Sequence, residues 1–247
     1  MKAISSMATR RLLADLVTAA ADAGLPTVDV ESVGGVDAET RVAAGEPFDL
    51  VFLAVGALRR LAEGGHVDPA TVTPLVLSQT AVAMASGSAE PAAPPVSEDG
   101  SVARAFADAA GVREALRAAQ RVGYSSGPSG TALVRMIGDW GLTAELGDRL
   151  VQARPGVPVA QALADGEVDL GFQQLAELAG APGIRVLGVL PADCAIDTVF
   201  AGAVARASAD APGAARVLDF LASADVAPIK RRHSFGIPPA DLRGWAA

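Results

Sequence analysis

Two short stretches place small hydroxyl residues directly ahead of a helix start. Ile4-Ser5-Ser6-Met7-Ala8-Thr9 lies near the beginning of the chain, and Tyr124-Ser125-Ser126-Gly127-Pro128-Ser129-Gly130-Thr131 lies in its middle. The first N–H groups of a helix point outward with the positive end of its dipole, so a turn of this kind holds a small anion without a counter-charge. Serine hydroxyls add neutral donors, and glycine lets the backbone approach closely. The same serines also suit ordinary N-caps, and the residues alone leave both readings open. A third turn, Val33-Gly34-Gly35-Val36-Asp37, is equally compatible with a backbone anion contact and with a simple cap by Asp37.

Turnover would require an acid and a base beside the anion. Tyr124, at a strand end next to the second turn, is one candidate, with lobe packing as its alternative role. Glu177 follows Gln173 and Gln174 at a helix start, where an acid also complements the dipole. Gln173 itself offers an amide to a ligand. Arg41 would grip a carboxylate in a bidentate pair, or else bridge Asp37 at i,i+4 on its own helix. His66 sits in a Gly-Gly-His turn and His233 ends a basic helix, and both read as exposed. No Gly-x-Ser-x-Gly elbow and no Gly-x-x-x-x-Gly-Lys loop occurs, so serine-hydrolase and phosphate-loop chemistries are set aside.

The elements that must carry these residues alternate between short apolar strands and amphipathic helices. The expected order opens with strand 2–5, helix 11–23, strand 27–31, helix 37–44, strand 49–54 and helix 57–64. A long apolar stretch follows over 73–85, then a proline-rich loop over 87–95. The apolar spacing of Val102, Phe106, Ala109 and Leu116 predicts one helix over 101–119. Next come strand 121–124, helices 131–140, 144–152 and 159–164, strand 169–172, helix 174–178 and strand 184–190. A return strand over 197–205 and helices 212–222 and 226–232 close the chain. The fold class expected is α/β in two lobes, each a mixed sheet flanked by helices, with lobe I formed by 1–80 plus 198–247 and lobe II by 81–197. The two serine turns, one per lobe, would then face each other across a ligand cleft at the carboxyl ends of the sheets.

Composition narrows the partners. Of 247 residues, 51% are apolar and only 4% aromatic, which suits aliphatic layers around a sheet. The formal charge of -8 supplies no field for nucleic acid or an anionic membrane. The basic run Lys230-Arg231-Arg232-His233 reads as a solvated helix end. Cys194 is the single cysteine, so neither an intrachain disulfide nor a clustered metal site is expected, and no cofactor is called for. No window reaches a membrane span. Absence of a leader-like run at the start gives a cytoplasmic expectation, changed to periplasmic where a leader has been removed, and makes a transporter partner doubtful.

The chain resembles the molybdate-binding members of the bacterial extracellular solute-binding proteins. The similarity rests on Ser5-Ser6, on Arg41-Val42-Ala43-Ala44-Gly45-Glu46-Pro47-Phe48-Asp49-Leu50-Val51, on Tyr124 to Gly130, on Gly166 to Leu178, and on Val217 to Ala222. It implies a type II periplasmic-binding-protein fold and an oxyanion held by hydroxyls and backbone N–H groups from both lobes. Carried over by position, this points to Ser5, Ser6, Gly35, Ser129 and Gly130, and Gly34, Ser125, Ser126 and Thr131 of the same turns are further ligand candidates. Gly34-Gly35-Val36 departs from the family by lacking a serine. The turn at Tyr124 and the start Gln173-Gln174-x-x-Glu177 resemble a branch with aconitate isomerase activity, which moves a proton and double bond in an unsaturated tricarboxylate. Two functions follow as expectations, a binder of a small oxyanion or carboxylate and an isomerase of a small unsaturated carboxylate.

Overall fold

A computed structural model describes residues 1–87, 90, 92–97, 101–154 and 157–238. In chain order the elements are β1 (Lys2–Ser6), α1 (Arg10–Asp22), β2 (Asp29–Val33), α2 (Gly35–Ala43), β3 (Leu50–Ala54), α3 (Val55–Glu63) and β4 (Thr73–Ala85). They continue with α4 (Ala109–Ala118), β5 (Val122–Tyr124), α5 (Pro128–Asp139), α6 (Thr143–Leu146), β6 (Leu150–Gln152), α7 (Val159–Ala164), β7 (Leu170–Gln174) and α8 (Leu175–Leu178). The last are β8 (Ile184–Val189), β9 (Asp197–Val204), α9 (Ala211–Ala222) and α10 (Ala227–Arg232). The chain divides into two compact units, Met1–Leu77 with Val199 onward, and Ser78–Thr198. The divisions fall inside β4 and β9, against the expected 80/81 and 197/198.

In the first unit β1 lies between β2 and β3, parallel to both, and β9 runs antiparallel to β3. Aliphatic runs explain this centre: Leu50, Val51, Phe52 and Leu53 are all buried, as a strand covered on both faces must be. Helix α1 buries Leu12, Leu13, Leu16 and Ala20, a stripe at helical spacing, and ends where Gly24 takes φ +80°. One core joins Ile4, Val51 and Leu53 with Val42 of α2 and Leu58 and Leu61 of α3.

In the second unit β5 is parallel to β6 and β7, and β7 and β8 each run antiparallel to β4. Two apolar layers form. One packs Val159, Leu163, Leu175 and Leu178 with Ala81 and Val186. The other packs Val112, Leu116, Leu133 and Ile137 with Val122 and Phe172. Glycine at 171 lets α7 approach, because a Cβ there would come within 2.7 Å of Val159 and Leu163 side-chain atoms.

Several expected elements differ. The single helix over 101–119 is reduced to α4, because Asp108 caps it by accepting from the Gly111 N–H at 3.0 Å. Upstream, Ala103 and Ala105 donate to Pro95 and Val189 carbonyls, so that stretch is extended although its apolar spacing imitates a helix. The expected helix 144–152 stops at α6. Gly147 takes φ +48°, and Leu150–Gln152 pairs with β5 as an edge strand. Helix α5 starts three residues earlier than expected, with Pro128 in its first turn. Gln174 belongs to β7 rather than to α8. In the expected loop over 87–95, Ser88, Ala89 and Pro91 lie outside the described residues. Lys230 is 9% exposed, so the basic run is not a uniformly solvated end, and His233 contacts Asp15 at 2.8 Å.

Candidate functional site

The first unit builds its hydroxyl turn where β1 ends. Ser5, Ser6 and Thr9 are all buried polar residues, at 0%, 7% and 2% exposure. Ser5 Oγ lies 2.8 Å from Ser32 Oγ, its register partner on β2. Thr9 Oγ1 donates to the Ser6 carbonyl at 3.3 Å. Ser6 stands at the N-cap of the following 3-10 turn, yet its hydroxyl caps nothing, and Ser6 Oγ is a buried atom without a hydrogen-bond partner. The N-cap alternative for this serine is therefore not what the side chain does.

The glycine turn comes to the same place. Ser6 pairs in register with Val33, and a Cβ on Gly35 would lie 3.7 Å from Ser6 Cβ. Gly34 is the N-cap of α2, and the first intrahelical bond is Ala38 N–H to the Gly34 carbonyl at 2.8 Å. The N–H groups of Gly35, Val36 and Asp37 precede that bond and form the positive end of the nine-residue helix. Asp37 makes no cap here. Arg41 stands elsewhere: it grips Glu46 through Nε at 2.9 Å and Glu31 through two nitrogens at 2.5 and 3.0 Å, with the Phe48 ring 5.5 Å from its guanidinium. Those two carboxylates occupy its fork, and Asp37 is not its partner.

In the second unit the turn after β5 is held by its own atoms. Ser125 Oγ and Ser129 Oγ are 3.0 Å apart and both buried. Gly127 is the N-cap of α5 and offers no side chain. Thr131 N–H makes the first intrahelical bond, to the Gly127 carbonyl at 3.1 Å, so the N–H groups of Ser129 and Gly130 precede the ladder. Gly130 is obligatory, since a Cβ there would lie 1.8 Å from the Ser125 carbonyl oxygen. Ser126 and Thr131 are exposed, and Thr131 Oγ1 turns back toward the Gly127 carbonyl at 3.4 Å. Tyr124 is half-buried and packs against the α5-side core.

The acid Glu177 lies on α8, directly after the strand β7 that neighbours β5. Tyr124 on β5 pairs with Phe172 on β7, the last pair of that ladder, and Gln173 follows Phe172 on β7. Gln173 is buried, and its Oε1 accepts from the Val159 N–H at 2.8 Å, which caps α7. Its Nε2 donates to Glu177 Oε2. The expected ligand amide is thus committed at both ends within the unit. Desolvation by the surrounding protein raises the Glu177 carboxyl above its ordinary range, partly offset by the Gln173 donor. The residue is nonetheless exposed by area, so the carboxyl is crowded by protein while still meeting water.

The sequence reading missed a buried polar group on β4 and β7. Ser78 Oγ donates to Gln174 Oε1 at 2.9 Å, and Thr80, the register partner of Gln174, has a buried Oγ1 without a partner. The available signal was a serine and a threonine two apart in an otherwise aliphatic strand. Among the described residues no group of His, Cys, Asp and Glu is arranged to hold a metal ion, and no helix is long and apolar enough to cross a membrane.

The chain is 33% identical over 191 residues to an aconitate isomerase from a Pseudomonas species, covering 76% of this chain and 66% of that relative, just under two thirds of its length. The substrate-binding domain of a putative molybdenum ABC transporter from Clostridium difficile superposes with TM-score 0.74 at 16% identity, over 97% of this chain and 99% of that one. The periplasmic molybdate-binding protein of Azotobacter vinelandii gives TM-score 0.71 at 19% identity, over 97% and 100%. At these identities the two structures establish an α/β periplasmic-binding-protein-like fold with mixed sheets flanked by helices. The family profile described as bacterial extracellular solute-binding protein matches residues 2–236, and the chain belongs to that family.

Proposed function

We propose that this protein binds a small anion, an oxyanion or a carboxylate, through hydroxyls and first-turn N–H groups, those of Ser5-Ser6 and Gly34-Gly35 in the first unit and, taken separately, those of Ser125 to Gly130 in the second. The observation that carries the reading is Ser6 Oγ, buried and unpartnered beside the N-terminus of α2. A buried hydroxyl without a partner costs about 1–3 kcal/mol, and a bound oxygen removes that cost. Neutral donors suit an anion of any class, in keeping with the molybdate-binding fold neighbours.

A second reading, isomerisation of an unsaturated di- or tricarboxylate, is favoured by the aconitate isomerase relative and by Glu177, an acid of raised proton affinity. Tyr124 is the other candidate proton donor. Thermal midpoints measured with molybdate, tungstate, sulfate and di- and tricarboxylates test binding, since a ligand of the native state raises the midpoint. Ser6→Ala is expected to weaken binding about tenfold, and unchanged affinity would remove the site. Deuterium exchange into a bound carboxylate in heavy water tests turnover; tight binding with no exchange and no shifted double bond would sink the isomerase reading. Cytoplasmic residence belongs to the same proposal and is checked by cell fractionation with sequencing of the mature N-terminus.

A further inference from the structure

The anion turn of the first unit has an apolar border. Ser6 Oγ is buried without a partner, and a Cβ on Gly35 would lie 3.7 Å from Ser6 Cβ, so the hydroxyl residue and the start of α2 meet. The residues that follow these two in the chain are both apolar and both exposed, Met7 at 51% and Val36 at 81%. Four large apolar side chains are exposed among the described residues, and these two flank a single contact. A lone exposed apolar side chain needs no explanation, whereas a pair bordering a polar site marks a surface that meets a partner.

Covalent geometry fixes their reach. The Val36 N–H is one of the first-turn donors of α2 that precede the helical ladder, and the Val36 Cα is about 1.46 Å from that nitrogen. The Cα–Cβ bond of a helical residue tilts toward the helix N-terminus, the side from which an anion approaches. An oxygen accepting at about 2.9 Å thus brings the carbon behind it beside the valine methyls. Met7 is bonded to Ser6, and its flexible thioether adapts to irregular shapes. Asp37, exposed on the same turn, adds a negative charge that opposes a compact dianion more than an anion whose charge is spread along a carbon chain.

We propose that this turn takes an organic carboxylate, one carboxyl group resting on Ser6 and the Gly35 and Val36 N–H groups, with Met7 and Val36 as specificity-determining residues that cover its carbon skeleton. This rests on the anion-binding reading above and narrows its ligand class. An inorganic oxyanion presents only polar oxygens and gains nothing from the two side chains. A carboxylate carries its carbons directly behind its oxygens, and each methylene removed from water strengthens binding about fourfold.

Calorimetric titration of the whole chain with sulfate, molybdate, succinate and aconitate tests this. Wild type is expected to bind at least one of the two carboxylates more tightly than either inorganic anion. Val36→Ala and Met7→Ala, truncations at exposed positions, should each lower the ratio of carboxylate to sulfate affinity about fourfold, and the double variant more than either. Met7→Leu keeps an apolar side chain of similar volume and should keep the wild-type ratio. Ser6→Ala should weaken carboxylate and sulfate alike. Ratios unchanged in both alanine variants, equal losses for sulfate and carboxylate, or tighter binding of the inorganic anions by wild type would overturn the proposal while leaving anion binding intact. Binding of none of the four anions, or full affinity in Ser6→Ala, would overturn both this proposal and the first-unit site it rests on.

Discussion

Gly130 and Lys230 show how much single positions decide. The Ser125 carbonyl oxygen occupies the space a side chain at 130 would need. Gly130→Ala is expected to destabilise the protein by about 1–3 kcal/mol, read from the urea midpoint, and to weaken anion binding by displacing the turn. Lys230 is 9% exposed, and burial pushes its amine down to about 8. The unfolded chain therefore binds more protons between about pH 8 and the ordinary lysine range, so stability should rise with pH across that window. Lys230→Met is expected to add about 1–3 kcal/mol at pH 7 and to remove the rise, as followed by denaturant unfolding at pH 7 to 10. An unchanged slope in the variant would assign the pH dependence elsewhere. Cys194 is buried, and burial raises its thiol to about 11, so slow reaction of the native chain with thiol reagents is the companion expectation.

Elements are tied by a few side chains whose roles are local. Asp49, just ahead of β3, accepts from Lys2 N–H at 2.9 Å and from Ser208 Oγ at 2.8 Å, joining β1 to the turn before α9. Desolvation pushes its carboxyl up, but the donors from Lys2, Ser208 and Ala209 outweigh it and the net shift is downward. A depressed folded pKa means stability that is present above the ordinary carboxylate range and is lost as pH falls through the folded value. Asp49→Asn should lower the urea midpoint at pH 7 and flatten its acid dependence between pH 5 and 2. At α4, Asp108→Ala should cost about 1 kcal/mol by removing the cap on Gly111, an effect that Asp108→Ser should largely restore. The same element shows why periodicity misled: Phe106 packs beside α4 from an extended segment, so its spacing from Leu116 is coincidental with a helix. Leu150–Gln152 is three residues long, too short for alternation to mark it, and only its pairing with β5 makes it a strand.

On the scale of the molecule, alternating strands and helices with glycine-closed ends made the α/β class and most of the order of elements readable from the chain, β6 excepted. Gly24 and Gly45 stop α1 and α2 as local chemistry requires, and the aliphatic run at Leu50–Ala54 declares a buried strand wherever it is placed. The hydroxyl turns were equally legible, because Ser5-Ser6 and Ser125 to Gly130 are contiguous and their design is local. What those hydroxyls do was not legible. Whether Ser6 caps its helix or lies unpartnered by Gly35 depends on the register of β1 with β2, a contact between residues 27 or more apart. Arg41 found Glu31 and Glu46 instead of Asp37, and Gln173 found Val159 and Glu177, for the same reason. Sequence by itself determined the local terms: periodicity, capping chemistry and backbone freedom. Tertiary structure decided which polar groups meet, because hydrogen-bond partners are chosen by strand register and packing over distances along the chain that no local pattern encodes.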